Sequence, residues 1–153
     1  PVTFGDKVRM KEIAFLQDGY TVSEMADFGK PLQICLRYDV LEPIRNLLLG
    51  FDIFSGDGTL LYRTYDMLAE GLDHRDPGAY ESIYELPAGA FQSGAYFMEL
   101  VIGIHRHGWL TRGDIRLKLD FGGPRAVDVW FPGVIGPIGV WQVNRDQVAE
   151  GRR

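Results

Sequence analysis

The chain is short of the residues from which disulfide scaffolds and most nucleophilic or metal chemistry are built. Of its 153 residues one is cysteine, Cys35, and three are histidine. A single thiol cannot close an internal disulfide, so the disulfide-stapled extracellular scaffold is excluded and a reducing cytoplasm is the expected setting. Basic charge is also scarce: 16 Lys and Arg against 21 Asp and Glu give a formal net charge of −5. Proteins that grip nucleic acid neutralise phosphates with a basic face, so no nucleic-acid partner is expected. Long apolar runs are missing, and none approaches the roughly 18 residues that a membrane-spanning helix requires. No charged-then-apolar leader opens the sequence. It begins at Pro1 without an initiator Met, which leads us to expect a domain excised from a longer polypeptide.

Catalytic signatures are absent as well. No Gly-x-Ser-x-Gly elbow occurs, and no glycine-rich loop leads from a strand into a helix to cradle a phosphate. Gly56-Asp57-Gly58 lacks the series of oxygen ligands of a calcium loop. Cys35 lies within a strand pattern with no helix N-terminus to activate it, so an inert, partly buried thiol is expected. His105-Arg106-His107 would place two imidazoles on one strand face, but a third ligand at a suitable spacing is lacking. The pattern reads instead as a polar strand end entering a loop. Acidic residues are plentiful, yet nothing singles out a pair for glycoside hydrolysis. These absences point to a non-enzymatic chain with no cofactor and no bound metal.

What the sequence does have is period two. Hydrophobic residues make up 46% and charged residues 24%, the balance of an ordinary globular domain. Leu32, Ile34, Leu36, Tyr38 and Val40 alternate with Gln33, Cys35, Arg37 and Asp39, as a half-buried strand requires. Leu47, Leu49, Phe51 and Ile53 repeat the pattern with Asp52 on the other face. Ser55-Gly56-Asp57-Gly58 then supplies turn residues, and Leu60–Tyr65 completes a hairpin. Tyr96, Met98, Leu100, Ile102 and Ile104 form the longest stripe, opposed by Phe97, Glu99, Val101 and His105. Ile115, Leu117, Leu119 and Phe121 alternate with Arg116, Lys118 and Asp120. Shorter runs occur at 8–16, 80–86, 126–131 and 138–143, and a helical turn at 67–72 is closed by Gly71 and Pro77. Eight or nine short strands separated by turns predict an all-β, two-sheet antiparallel sandwich. It forms one domain over residues 1–153, with a core at 8–143 and a polar tail at 146–153.

Aromatic residues beside polar ones offer a binding chemistry in place of a catalytic one. Tyr62, Tyr65, Tyr80, Tyr84, Trp109 and Trp130 fall in or beside strands rich in polar groups. A sugar ring has an apolar C–H face and a hydroxyl rim. It is held by a flat aromatic below and by charged or amide groups at its edge. Tyr65 shares a strand face with Arg63, and Arg37 and Glu99 occupy the polar faces of their own strands. Tyr65, Trp109 and Tyr84 are the candidates for stacking, and Arg63, Arg37, Glu99 and His105 for the polar rim. For any single ring, packing inside the sandwich is the competing reading.

The order of elements carries a resemblance. A first strand ends in Asp18-Gly19, and Phe28-Gly29-Lys30-Pro31-Leu32 introduces Ile34-Cys35-Leu36-Arg37-Tyr38. Gly50-Phe51-Asp52-Ile53-Phe54, the Gly56-Asp57-Gly58 turn and Leu61-Tyr62-Arg63-Thr64 follow. Glu85-Leu86-Pro87 precedes Ser93-Gly94-Ala95-Tyr96-Phe97-Met98-Glu99-Leu100, and Gly133-Val134-Ile135 leads to Trp141. Over residues 8 to 143 this ordered set resembles the C-terminal carbohydrate-binding domain of the ATP-binding subunit of ABC transporters that export O-antigen polysaccharide, the Wzt-type domain. The resemblance implies an immunoglobulin-like sandwich and a homodimer formed by exchange of the C-terminal strand. It implies a polysaccharide ligand, the finished lipid-linked O-antigen. It also implies a cytoplasmic location at the inner face of the inner membrane, an attached nucleotide-binding domain and a membrane permease subunit. No nucleotide-binding motif lies in this chain, so ATP hydrolysis is expected in another part of a longer polypeptide. No residue-by-residue binding signature comes with the resemblance. A ligand-free structural or dimerisation domain and, more remotely, a metal-dependent sandwich enzyme at His105 and His107 are the alternatives.

Overall fold

The computed structural model describes residues 2–66 and 73–123 together with Gln142. The alternating stretches form strands as their period requires. In chain order, the strands among the described residues are β1 (Val2–Phe4), β2 (Val8–Gln17), β3 (Tyr20–Thr21), β4 (Met25–Asp27), β5 (Leu32–Val40) and β6 (Ile44–Arg45). They are followed by β7 (Leu47–Ser55), β8 (Leu60–Tyr65), β9 (His74–Arg75), β10 (Gly78–Leu86), β11 (Gly94–Ile104) and β12 (Gly108–Gly122). Seven of these twelve carry the runs that the sequence marks within the described residues, and five are additional. The extra ones are pieces of two or three residues, too short to carry a period. The runs expected at 126–131 and 138–143, the helical turn at 67–72, Trp130 and Trp141 lie outside the described residues, apart from Gln142.

Two five-stranded sheets face each other. One has the order β1-β2-β5-β10 with β3 on the free side of β2, and the other has the order β4-β12-β11-β7-β8. A short β6–β9 ladder stands apart. Pairing is antiparallel except where β4 runs parallel to the end of β12. The chain crosses between sheets from β3 to β4, from β4 to β5, from β5 to β7, from β8 to β10 and from β10 to β11. The inward side chains of both sheets meet in one core. Leu32, Ile34, Leu36 and Tyr38 of the first sheet close against Leu49, Phe51, Ile53, Met98, Leu100 and Ile102 of the second. The fold is therefore the antiparallel two-sheet sandwich that the sequence predicts.

Local chemistry fixes the turns. Between β7 and β8, Ser55 N–H donates to the Thr59 carbonyl at 2.9 Å, Gly58 N–H to the Ser55 carbonyl at 3.0 Å, and Thr59 N–H to Asp57 Oδ1 at 3.1 Å. The Ser55 hydroxyl also bonds to Asp57, and this bond leads the causes that hold the Asp57 carboxyl below its usual range. Gly58 takes φ +88°, where a side chain would be strained. At the other end of the second sheet, His105-Arg106-His107 joins β11 to β12 as a loop, with Arg106 at φ 66°.

One buried polar network ties the sheets together along the β8/β10 side. Arg75, 1% exposed, donates from Nη2 to Asp66 Oδ1 at 2.7 Å and from Nη1 to the Tyr38 hydroxyl at 2.6 Å. Asp66 Oδ1 also accepts from the Leu49 backbone N–H at 3.1 Å, and its Oδ2 accepts from Ser82 Oγ at 2.7 Å. The charge of Arg75 is thus neutralised and hydrogen-bonded where it is shut away from water. No helix among the described residues is long and apolar enough to cross a membrane.

Candidate functional site

The outward face of the β4-β12-β11-β7-β8 sheet can be assembled directly from its register. Strand residues that point away from the core line up across β12, β11, β7 and β8 in rows. The first row is Trp109, Gly103 and Leu48, and the second is Arg112, Val101, Gly50 and Tyr65. The third is Arg116, Glu99, Asp52 and Arg63, and the fourth is Lys118, Phe97, Phe54 and Leu60. Five of the seven predicted residues gather here: Arg63, Tyr65, Glu99 and Trp109 within the rows, and His105 at the loop beside them.

Two glycines shape the centre of the face. The positions facing Trp109 and Tyr65 on the inner strands are Gly103 and Gly50, which present no side chain. A Cβ on Gly103 would stand 2.8 Å from the Trp109 ring, so the indole lies where that side chain would be. From opposite sides the two rings reach over the central strands, and their centroids are 6.3 Å apart at an interplanar angle of 33°. Glycine covered by a cross-strand aromatic is a recognised way of stabilising a sheet. Trp109 nevertheless remains 43% exposed. Leu48, Tyr65, Ile104, His105, Arg106, Gly108 and Trp109 line an open recess of about 330 Å³ beside the rings.

Cations frame the rings. The Arg112 and Arg63 guanidinium carbons lie 5.3 and 5.8 Å from the Trp109 ring centroid, within cation–π range. Arg63 does not choose this position alone. Asp52, 1% exposed although it points outward, accepts from Arg63 Nε at 2.6 Å and Nη2 at 2.7 Å. This fork-on-carboxylate pair raises the Arg63 pKa above its ordinary value, chiefly through the hydrogen bond to Asp52. In the same row, Glu99 Oε1 accepts from Arg116 Nε at 2.9 Å and Nη2 at 2.5 Å. The row therefore reads cation, anion, anion, cation, and sums to no charge. Such a surface offers flat apolar faces for stacking together with fixed donors and acceptors at their edges.

Two predicted residues lie elsewhere. Arg37 is on the outward face of the opposite sheet, where Nε donates to Glu81 at 2.7 Å and Nη1 reaches Glu12 at 3.4 Å. Alternation along β5 marks it as outward-facing but cannot say which side of the sandwich that is. Tyr84 points into the sandwich: it is edge-on to Phe51 with centroids 5.4 Å apart, and its hydroxyl shares a 2.6 Å hydrogen bond with that of Tyr62. Burial first, and that bond second, push the Tyr84 hydroxyl up to about 12. Tyr84 is inward because β10 turns Glu81, Ile83 and Glu85 outward, leaving Ile83 exposed. Cys35 is buried, and burial raises its thiol pKa. Among the described residues no three His, Cys, Asp or Glu side chains gather as a metal site.

Sequence reasoning missed Arg112, Gly50 and Gly103. Arg112 was hidden because β12 is bulged relative to β11 at two places, which breaks the alternation between Trp109 and Arg116. The signal for the glycines was present, since a glycine inside a strand marks a close approach by another group.

The architecture defines this chain as a two-sheet antiparallel β-sandwich whose outward aromatic face is built on one five-stranded sheet. Among solved structures it is similar to the one described as the crystal structure of the C-terminal domain of Wzt. The TM-score is 0.70 at 14% sequence identity, covering 93% of this chain and 87% of that one. No family model and no curated protein matches the chain. At that identity the likeness is one of fold, and it agrees with the resemblance carried by the ordered motifs.

Proposed function

We propose that this chain is a non-catalytic polysaccharide-binding module that recognises lipid-linked O-antigen for export by an ABC transporter. The carrying observation is the pair of partly open rings, Tyr65 and Trp109, 6.3 Å apart, with the Trp109 indole over Gly103 and guanidinium groups at its edge. Tyr65 and Trp109 stack on sugar C–H faces, while Arg63, Arg112, Glu99 and His105 bond hydroxyls at the rim. Selectivity comes from the placement of these groups, with weak affinity for each ring. In this reading residues 1–153 are one module of a longer polypeptide. An attached nucleotide-binding domain hydrolyses ATP and a permease subunit moves the glycan, both at the cytoplasmic face of the inner membrane.

The test is calorimetric titration with a panel of bacterial O-polysaccharides freed of lipid by mild acid. The wild-type chain is expected to bind at least one of them, and Tyr65→Ala to lose that binding with its circular dichroism unchanged. If no polysaccharide binds, the proposal falls; if Tyr65→Ala binds as the wild type does, that ring leaves the site.

A second reading, a ligand-free dimerisation domain, draws on the edge of β12. That strand covers Gly108–Gly122, yet among the described residues the register on its β4 side spans Asp120–Gly122. Its remaining backbone groups suit an added strand, such as the C-terminal strand of a second copy. Light scattering that gives a dimer, with every titration flat, would favour this reading over glycan binding.

A further inference from the structure

Beyond the Tyr65–Trp109 pair, the same sheet face carries a second aromatic platform. Phe97 and Phe54 are direct cross-strand neighbours in the fourth row, both half-buried. The Arg116 guanidinium lies over them, 5.3 Å from the Phe97 centroid and 6.0 Å from that of Phe54. Lys118, beside Phe97 on β12, has a largely exposed side chain. From the Tyr65 row to the Phe97 row is four residues along β11, or ~13 Å at the rise of an antiparallel strand. A single hexose cannot bridge that span, whereas an oligosaccharide can.

Between the platforms runs the neutral row of Arg63, Asp52, Glu99 and Arg116. Its hydrogen bonds leave free positions of both kinds. Both Asp52 oxygens are taken by Arg63 Nε and Nη2, and Glu99 Oε1 by Arg116 Nε and Nη2. Among the described residues no hydrogen bond engages Glu99 Oε2, Arg63 Nη1 or Arg116 Nη1. One acceptor flanked by two donors suits hydroxyls, which both give and take hydrogen bonds. An anionic group would meet two carboxylates at the middle of the row, so the chemistry favours uncharged sugar units there.

Resting on the proposed glycan-binding role, we propose that Phe54, Phe97, Arg116 and Lys118 form a second subsite for a hexose ring, with uncharged sugar units lying along the row between the two platforms. The face then grips a stretch of polysaccharide laid along the strands, and affinity depends on chain length. The probe is the O-polysaccharide that binds in the titration above, partly hydrolysed and sorted by size from mono- to octasaccharide. Wild-type affinity should step up once fragments are long enough to reach both platforms, by roughly threefold to tenfold for the added ring contact. Phe97→Leu, which keeps an apolar side chain but loses the ring, should remove that step and leave the shortest binding fragments unaffected. In the wild-type protein, the Arg116 Nε–H resonance should shift with the octasaccharide and stay still with the monosaccharide.

Affinity independent of length, or a still Arg116 resonance with the octasaccharide bound, overturns the second subsite while leaving the Tyr65–Trp109 site standing. If no polysaccharide binds at all, both fall together.

Discussion

Gly50 and Gly103 sit in neighbouring strands of one sheet face, yet alanine at the two positions should have opposite consequences. At Gly50 the new Cβ would stand 1.9 Å from the Thr64 carbonyl oxygen and 2.9 Å from Tyr65 Cα. Those are backbone atoms of β8, so the strand itself must move. Strain of this kind costs about 1–3 kcal/mol and at times more, and the distance here is far inside contact, so Gly50→Ala belongs at or above the top of that range. At Gly103 the nearest atoms to the Cβ are ring atoms of Trp109, at 2.8 and 3.1 Å, and the Gly108 carbonyl oxygen at 3.2 Å. Trp109 is already 43% exposed and can swing outward. The ring contacts it gives up are worth about 0.5–1.5 kcal/mol, and replacing a strand glycine returns about 0.5–1 kcal/mol. Gly103→Ala should therefore stay within about 1 kcal/mol of wild type, by the same principles. Its outward face, however, loses the ring pair on which the proposed binding depends. Urea denaturation combined with polysaccharide titration reads both effects. The expected result is a large loss of stability in Gly50→Ala, and near-native stability with at least a tenfold loss of affinity in Gly103→Ala. A Gly50→Ala protein as stable as wild type, or a Gly103→Ala protein with undiminished affinity, would refute this account of the glycines.

Other outcomes follow from single contacts. Arg63→Ala strands the 1% exposed carboxylate of Asp52, so it should destabilise by about 3 kcal/mol. Arg63→Ala with Asp52→Ala should recover part of that loss, and a double-mutant cycle with no coupling would contradict the pair. Arg75→Met removes the buried partner of Asp66 and should cost about 3–5 kcal/mol in urea denaturation; a loss under about 1 kcal/mol would show the network to be dispensable. Tyr84 has its folded pKa raised, to about 12 from an ordinary 10. Its contribution to stability is thus complete below pH 10 and is lost as pH rises through that interval. Alkaline unfolding should be milder in Tyr84→Phe, and identical alkaline profiles would count against the burial of its hydroxyl. Cys35, with its thiol pKa raised by burial, should react with a thiol reagent at neutral pH far more slowly than the unfolded chain does; equal rates would contradict its placement.

The long strands were legible because their alternation is clean. Leu32–Val40 and Leu60–Tyr65 form strands with the bounds that the pattern marks. β1, β3, β4, β6 and β9 were not legible, since two or three residues define no period and their pairing depends on distant strands. For the candidate residues, the outward face was legible but not the sheet. Arg37 and Glu99 both alternate outward, yet they stand on opposite sides of the sandwich, because period two separates in from out and says nothing about which sheet a strand joins. Tyr84 reads as a surface ring beside Glu85, while the structure exposes Ile83 and turns the tyrosine inward. Arg63 and Tyr65 share a face because they lie two apart on one strand, where alternation alone places them together. Trp109 and Arg112, three apart, share a face only through a bulge that no local pattern marks.

The central claim is that the glycan lies on the outward face of the β4-β12-β11-β7-β8 sheet. Nitrogen-edited NMR of the wild-type chain, titrated with a binding O-polysaccharide, tests it with two resonances on opposite sides of the sandwich. The account predicts that the Trp109 indole N–H shifts saturably while the Arg37 Nε–H stays in place. A shifting Arg37 with an unmoved Trp109 would put the ligand on the other sheet and contradict it.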